Sequence, residues 1–461
     1  METGINTREI RGNIFSMIIP ISVEGLLQMI ASTILMGMIG RLDVHSINAW
    51  GLMSRLTQVL WAIIRGISLG VTIGIASDLG AGNRRRIQQI VLSMLGTLFA
   101  FGLVFAGLLA TFAPQFVALL GGSGEMAEKA VAAARICCIS LPFWTVMLCT
   151  SGILQGHSNA KVPMMVMTVY NFACAGIGYL LIYGSFGLPR LEIYGAALTL
   201  VIAQIVMSAV CLIILGKYGF FKNIRKAGLT PVIIRENIAR ILRYGLPPAV
   251  ENLLWNLGSI AMLRPILHYG DYAYAAHQLG MQAEAISYMP TMGFGIATSS
   301  LLSRSFGAGK PKEAEAYFRK IVKYITLVTV ALIAIIFLAR YPLMGLLTND
   351  PEIIYLGTIY LITVVITLMP SNLSGIYMGA LRVSGYTKSP MIFSIIGLWC
   401  VRVPLCYISA YLIPGSTIVW IWAAMGIDLV TRYSLGLFRL KHKRVFEPSP
   451  ELQTLCPKLE E

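Results

Sequence analysis

The sequence predicts an all-α polytopic membrane protein, with twelve transmembrane helices in two pseudo-symmetric six-helix lobes. Three observations predict this fold: the composition, a series of long apolar runs and an internal repeat. Of the 461 residues, 56% are hydrophobic and 12% are charged, whereas a soluble protein has about 25% charged residues. A chain of this size cannot bury so much apolar surface in a soluble fold. The composition therefore excludes an ordinary soluble enzyme, a nucleic-acid-binding protein and a disordered scaffold.

Each apolar run is long enough to cross the hydrocarbon core as a helix, which takes about 20 residues. A backbone in lipid must satisfy its own hydrogen bonds, so isolated spans of this kind are helical. The sequence lacks the alternating pattern of transmembrane barrel strands. In chain order, the predicted spans are 14–40, 50–78, 88–113, 130–155, 161–184, 193–216, 241–267, 277–304, 320–341, 353–381, 389–413 and 416–437.

The basic residues predict how these spans are oriented. The net charge of +15 comes from 36 Lys and Arg against 21 Asp and Glu. Most of the basic residues fall in alternate connections, and the opposite connections hold only Arg41, Lys129, Arg190 and Arg340. Because basic loops stay on the cytoplasmic side, we expect both termini in the cytoplasm and a multi-pass protein of the cell membrane (inner or plasma membrane). We expect a monomer whose partners are the lipid bilayer and a small organic substrate, and we expect no nucleic-acid partner.

The sequence repeats itself at an offset of 227 residues. The aligned pairs include Pro20 with Pro247, Glu24 with Glu251, Leu154 with Leu381 and Lys161 with Lys388. The predicted organisation is an N-terminal lobe at 1–216, a cytoplasmic linker at 217–240, a C-terminal lobe at 241–437 and a cytoplasmic tail at 438–461. Six spans per lobe give both lobes the same orientation, around an axis along the membrane normal. Such paired lobes are typical of secondary transporters that work by alternating access.

Five segments carry a resemblance to a known family. They are GAGN at 80–83, YLLIYGSFGLPRLEIYGAAL at 179–198, PTMGFGIATSSLLSRSFGAG at 290–309, FGAGKPKEAEAY at 306–317 and LWCVRVPL at 398–405. Together, and in this order, they resemble the multidrug and toxic compound extrusion (MATE) family. The resemblance implies a MATE-like fold and a cation-coupled antiporter, in which H⁺ or Na⁺ enters as an organic compound leaves. The sequence shows no ATP-binding motif, so we expect no cofactor beyond the coupling ion.

The departures from the family pattern indicate which branch the chain resembles. Ser32, Gly178 and Tyr386 stand where many members, or members of the DinF-like branch, carry a carboxylate. The chain is therefore more similar to the NorM-like branch, in which a Glu on the seventh helix binds the coupling cation. Glu251 falls on that position.

Two glutamates are the predicted cation-coupling residues, because an ionisable group at membrane depth is costly and needs a reason to be there. Glu251 follows Pro247 and Pro248 by about one turn, and its counterpart Glu24 follows Pro20. Proline removes a backbone donor and leaves a carbonyl free, so these prolines predict a helix break beside a carboxylate. The alternatives are a structural Glu251 bonded to a neighbouring helix and a Glu24 that is a remnant of the duplication.

A second set of residues is predicted to line the substrate cavity, where carboxylates and aromatic faces hold organic cations. The set is Glu284, Gln278, Gln282, Tyr288, Trp255, Asn256 and Asn171. The alternative for Glu284 is a solvated or snorkelling residue near the outer end of its helix, and for the others it is packing or a lipid-facing surface. Arg402 lies beside a further predicted helix break at Pro404, and its partner is either a buried carboxylate or a lipid head group. Asp428 and Arg432 have the four-residue spacing of an intrahelical ion pair, and Asp43 is expected to pair with Arg41.

The predicted function is export of organic, cationic or amphipathic compounds. The alternative is a flippase for a lipid-linked saccharide or another lipid-like substrate, which would need a strongly cationic cavity. The three intramembrane glutamates favour a cationic load instead. A membrane enzyme such as a prenyl transferase needs clustered Asp residues that hold Mg²⁺, and the sequence has no such cluster. We therefore predict neither an enzyme nor a metal site.

Overall fold

The computed structural model describes residues 7–119, 123–184, 187, 189–222, 228–442 and 445–446. Their regular structure is helical. The helices are α1 (Thr7–Ile39), α2 (Val44–Gly80), α3 (Arg84–Leu119), α4 (Gly124–Gly156), α5 (Lys161–Tyr183), α6 (Glu192–Lys217), α7 (Pro231–Ala261), α8 (Leu263–Leu267), α9 (Asp271–Gly307), α10 (Pro311–Gly345), α11 (Pro351–Val383), α12 (Lys388–Ile395), a π-helix (Ile396–Arg402), α13 (Val403–Tyr411) and α14 (Ile418–His442).

Local sequence signals explain several helix ends. Asp350 caps α11 by accepting hydrogen bonds from the first backbone N–H groups, and a proline follows it at the first helical position, as expected for helix starts. The repeated Gly-Ala-Gly turn ends both α2 and α9. Its last glycine, Gly82 in one copy and Gly309 in the other, has φ of 73° and 71°, a left-handed conformation that favours glycine.

In the described residues, twelve helical segments are long enough to cross the membrane, which is the number that the sequence predicts. Within the described part of the chain, ten are long and apolar enough to be recognised on those grounds alone, and one of them is the continuous run Lys388–Tyr411. The other two, α7 and α9, have 31 and 37 residues. At about 1.5 Å per residue each exceeds the roughly 30 Å hydrocarbon core. These two more polar helices carry Glu251 and Glu284.

The chain forms two compact units. The middle unit is Val23–Ala249, and the terminal unit joins Met1–Ser22 with Val250–Glu461. Helices α1 and α7 therefore each contribute one part to each unit. These units differ from the predicted lobes, which place the whole of α1 with the first half of the chain and the whole of α7 with the second. The lobe boundaries in the membrane stay a prediction.

In the middle unit, α2 packs on α3 and α4, and it also packs closely on the first part of α7. A Cβ atom added at Gly70 would lie 2.7 Å from the Ile241 carbonyl oxygen, and one added at Gly245 would lie 2.8 Å from Ile67 Cα. Small residues let helix backbones approach this closely in membranes. This contact explains why the α7 segment before Val250 belongs to the middle unit.

The terminal unit is built around α9, α10, α11 and α14. Helices α9, α10 and α11 pack on one another, and α11 also packs on α14. Its core includes the fully buried Tyr360 and Trp422. The first residues of the chain pack on α10, where Asn13 Nδ2 donates a hydrogen bond to Tyr317 Oη over 2.9 Å. A smaller cluster at one end of this unit holds Val445 and Phe446 against the end of α11.

Candidate functional site

Glu251, the predicted coupling residue, forms an ion pair inside the terminal unit. Arg382, one residue before the end of α11, donates from Nη2 to Glu251 Oε2 over 2.5 Å. The two side chains are 13% and 14% exposed, so the pair is largely removed from solvent. Among the described residues, none donates a hydrogen bond to the buried Oε1 atom of Glu251. The carboxylate is therefore held at one oxygen, and the hydrogen-bonding capacity of its other oxygen is unused among the described residues.

Glu284 lies in the same unit, on α9. Tyr360 of α11 donates from Oη to Glu284 Oε2 over 2.5 Å. Tyr360 is itself fixed by edge-on contacts with His277 and Trp422, with ring centroids 5.6 Å and 5.4 Å apart. Glu284 is thus anchored by a rigid aromatic group in the core, which favours a defined position for its carboxylate.

The partner of Arg402 is Asp428. Arg402, the last residue of the π-helix, lies with Nη2 2.7 Å from Asp428 Oδ2. Arg432 donates from Nε to Asp428 Oδ1 over 2.6 Å and from Nη2 to Oδ2. This confirms the intrahelical pair predicted from the four-residue spacing. Asp428 is fully buried, so its charge depends on these two guanidinium groups.

The three polar groups of the terminal unit influence one another. Arg402 acts electrostatically on Glu284, and Arg432 acts electrostatically on Glu251. The group holds three acids (Glu251, Glu284 and Asp428) and three arginines (Arg382, Arg402 and Arg432). Formal charges therefore balance within the group when all six are ionised.

Sequence reasoning missed Arg382 and Tyr360. Arg382 is 131 residues from Glu251, and Tyr360 is 76 residues from Glu284, so no local spacing connects them. Arg382 was assigned with the basic connections that predict orientation. The sequence held one signal: buried acids require partners, so the acids inside the predicted spans had to be matched by partners elsewhere in the chain.

Glu24, the counterpart of Glu251 under the repeat, lies in the middle unit. Its carboxylate is subject to the charge of Arg65, and Arg65 lies over the Trp61 ring at 4.8 Å. Within the part of the chain that the structure describes, the buried Oε2 of Glu24 has no hydrogen-bond partner. The two glutamates are thus in different compact units and in different settings.

The other cavity candidates are spread over several helices. Gln282, Trp255 and Tyr288 are exposed, and Gln278 is exposed and donates to Tyr274 Oη over 2.7 Å. Asn256 donates to the Asn252 carbonyl oxygen over 2.8 Å. Asn171 is buried, and no described residue bonds to its Nδ2 atom. Their role in lining a substrate cavity stays a prediction.

The predicted proline breaks are corrected by the structure. Pro20 lies inside the continuous α1, and Pro247 and Pro248 lie inside the continuous α7. A proline can be accommodated in a membrane helix when local adjustments satisfy the freed backbone groups. At the other predicted break, beside Arg402 and Pro404, the structure does depart from a regular α-helix, in the π-helix that ends at Arg402.

Asp43 also differs from its prediction. Its partner is Lys129 of α4, whose Nζ lies 2.9 Å from Asp43 Oδ2, whereas the sequence predicted Arg41. The carboxylate also caps α2 by accepting from Ser46. Hydrogen bonds from Ser46 and Lys129 hold the pKa of Asp43 well below its usual range. Asp43 thus has a structural role at the start of α2.

Comparison with known proteins gives the same fold and identifies the family. The MatE family matches residues 20–183 and 247–408. A probable multidrug resistance protein NorM of Thermotoga maritima is 27% identical over 437 residues, covering 93% of this chain and 92% of that protein. The probable multidrug resistance protein YoeA of Bacillus subtilis is 27% identical over 440 residues, covering 93% and 94%.

A solved structure extends this agreement to the fold. The crystal structure of the Vibrio cholerae MATE transporter VcmN in its bent form has a TM-score of 0.87 at 17% identity, covering 98% of this chain and 99% of that one. The predicted fold class and family resemblance are confirmed, since the family matches more than half of the sequence. The chain belongs to the MatE family of multi-pass membrane transporters, that is, to the MATE transporters.

Proposed function

We propose that the protein is a cation-coupled antiporter that exports organic, cationic or amphipathic compounds by alternating access. The observation that carries this proposal is Glu251, a largely buried carboxylate on a membrane-spanning helix with one oxygen available to a ligand. The names of relatives as multidrug resistance proteins support export. The positive-inside pattern supports an orientation with both termini in the cytoplasm of the cell membrane.

The coupling follows from the position of the carboxylate. H⁺ or Na⁺ that binds at Glu251 Oε1 neutralises a buried negative charge. A ligand shifts a conformational equilibrium only by its difference in affinity between the two states. Entry of the cation would therefore favour the arrangement in which Glu251 is best satisfied and allow the substrate to leave. Glu24 is the second candidate for such a step.

The glutamates also favour a positively charged substrate. Glu24, Glu251 and Glu284 each lie on a membrane-spanning helix, where an acid attracts a positively charged compound. A flippase for lipid-linked saccharides would need an excess of positive charge for its phosphates. The balanced charges of the terminal unit therefore favour the antiporter over the flippase.

The test is ethidium transport into proteoliposomes that contain the purified full chain, driven separately by a pH gradient and by a Na⁺ gradient. We expect Glu251→Gln to lower gradient-driven transport by at least about tenfold, because an amide cannot take up a proton or balance Na⁺. The control is Glu315→Gln, since Glu315 pairs with Arg319 on an exposed face of α10. Undiminished gradient-driven transport by Glu251→Gln would contradict the proposal.

A further inference from the structure

The ion pair between Glu251 and Arg382 is incomplete at both partners. Arg382 Nη2 donates to Glu251 Oε2. The buried Oε1 of Glu251 and the buried Nε of Arg382 have no hydrogen-bond partner among the described residues. Two largely buried opposite charges thus share a single contact, whereas an arginine and a carboxylate can form two parallel hydrogen bonds. Such a pair can be opened more readily than the bidentate pair of Asp428 and Arg432.

The contact also has a consequence for any cation that binds Glu251. A buried carboxylate without a counter-charge is strongly unfavourable, so Arg382 stabilises Glu251 while no other cation is present. A second positive charge at the same carboxylate would lie a few ångströms from the guanidinium and would be repelled by it. Arg382 and an incoming cation therefore oppose each other at one carboxylate.

We propose that Arg382 is an internal competitor for the coupling cation: its guanidinium holds Glu251 in the cation-free transporter and leaves Glu251 Oε2 when the cation binds. This rests on the proposed function, in which Glu251 binds that cation. Arg382 is then a positioning residue that acts through Glu251 and sets how much cation is needed. Arg432 also acts electrostatically on Glu251, without a hydrogen bond to it. It adds to the repulsion of an incoming cation, but its ion pair with Asp428 keeps it in place.

The internal repeat indicates which substitution at Arg382 tests this proposal. The 227-residue offset aligns Gln155 with Arg382 and Glu24 with Glu251. The middle unit therefore has a neutral amide at the helix position where the terminal unit has a guanidinium. Glutamine is thus a side chain that the same helix position accommodates in the other half of the chain, and Arg382→Gln removes the charge with a modest change in shape.

The experiment measures the concentration of coupling cation that gives half-maximal ethidium transport in proteoliposomes of the full chain, separately from the maximal rate. For Arg382→Gln, we expect this concentration to fall at least about tenfold, because a favourable buried contact that the cation must displace is gone. For Arg382→Lys, we expect a fall of about threefold, since an ammonium lacks the planar donor pair but keeps the charge. If H⁺ is the coupling ion, the half-maximal point moves to higher pH.

Two outcomes would overturn the inference. One is an unchanged half-maximal concentration with a reduced maximal rate in both variants, which is what a purely structural arginine would give. The other is an equal shift in the lysine and glutamine variants, which would show that charge is not the cause. If Arg382→Gln does not reconstitute, Arg382→Lys alone decides, because competition requires a shift and a structural role does not.

A variant of Glu251 separates this inference from the proposed function. In the Glu251→Gln background, adding Arg382→Gln should leave the residual transport and its cation dependence unchanged, because the competitor has lost its target. If Glu251→Gln itself transports normally, the proposed function fails and the inference fails with it. If Glu251→Gln abolishes coupling while the Arg382 variants keep the wild-type half-maximal concentration, only the inference fails.

Discussion

Asp428 is satisfied at both carboxylate oxygens, in contrast to Glu251. It accepts from Arg432 at Oδ1 and lies between Arg402 and Arg432 at Oδ2. Two arginines against one aspartate leave one excess positive charge, and Arg402 acts electrostatically on Glu284 while Arg432 acts on Glu251. Asp428 therefore stabilises the two arginines.

We expect Asp428→Asn to destabilise the protein by about 3–5 kcal/mol, because it leaves Arg402 buried without a counter-charge. The measurement is the thermal unfolding of the purified protein in detergent. The matched control is Glu315→Gln, which removes the acid from an i,i+4 pair with a 78% exposed Arg319; exposed pairs of this kind contribute about 0.3–0.5 kcal/mol. Equal effects of the two substitutions would show that burial of Asp428 contributes nothing.

Residues differ in how far their partners could be predicted from sequence. The pair of Asp428 and Arg432 was predictable because four residues along a helix bring two side chains to the same face. The partner of Asp43 was not, because Arg41 was nearer in sequence while Lys129 reaches it from α4. Arg402 lies on the π-helix, and its contact with Asp428 depends on how α14 packs there. Spacing predicts partners within a helix, and packing decides the rest.

At the scale of the helix, the π-helix Ile396–Arg402 is closely packed. It contacts α14, and Gly397 faces the Asp428 and Arg432 side chains directly. A Cβ atom at Gly397 would overlap Asp428 Oδ1 and would lie 2.8 Å from Arg432 Nε. The wider π turn is frequent at functional sites, and here it delivers Arg402 to Asp428 at its last residue.

We expect Gly397→Ala to destabilise the protein by about 1–3 kcal/mol, the usual effect of forcing extra volume into a packed interior. Gly96→Ala is the control, because an added Cβ at Gly96 on α3 meets no atom within 4 Å. In an exposed helix interior, alanine should be more stable than glycine by about 0.5–1 kcal/mol. Thermal unfolding of both variants in detergent checks this, and a neutral Gly397→Ala would mean that the ion-pair group has room to shift.

The elements themselves were predictable to different degrees. Ten spans are apolar enough to be recognised from composition. The two more polar spans, α7 and α9, were predicted from the apolar runs at 241–267 and 277–304 that they contain. In the eleventh span, Pro404 predicted an irregularity beside Arg402, but the sequence did not indicate that it is a π-helix over Ile396–Arg402. The breaks predicted at Pro20, Pro247 and Pro248 were wrong, because these prolines lie inside continuous helices.

At the scale of the whole molecule, the borders of the two compact units fall at equivalent positions of the repeat. One border follows Ser22 and the other follows Ala249, and these positions are 227 residues apart. Each candidate coupling glutamate, Glu24 or Glu251, is the second residue after its border. The repeat was visible in the sequence, but the division of α1 and α7 between units was not, because both helices are continuous across the border.

This organisation predicts how a cut chain should behave. Each unit needs a segment from the other half of the sequence: residues before Ser22 pack on α10 through Asn13 and Tyr317, and α7 packs on α2. That second contact includes a buried ion pair, in which Arg240 Nη1 lies 2.8 Å from Asp78 Oδ2. In lipid such contacts, rather than the hydrophobic effect, hold helices together.

We therefore expect two fragments, cut between positions 223 and 227, to purify as a complex when co-expressed, and neither to be stable alone. A first fragment that begins at Val23 is the sharper control, because it lacks the segment that the terminal unit uses. It should still bind the second fragment through α7, but the complex should unfold at a lower temperature. Independent, folded fragments that do not associate would contradict the exchange of α1 and α7 between the two units.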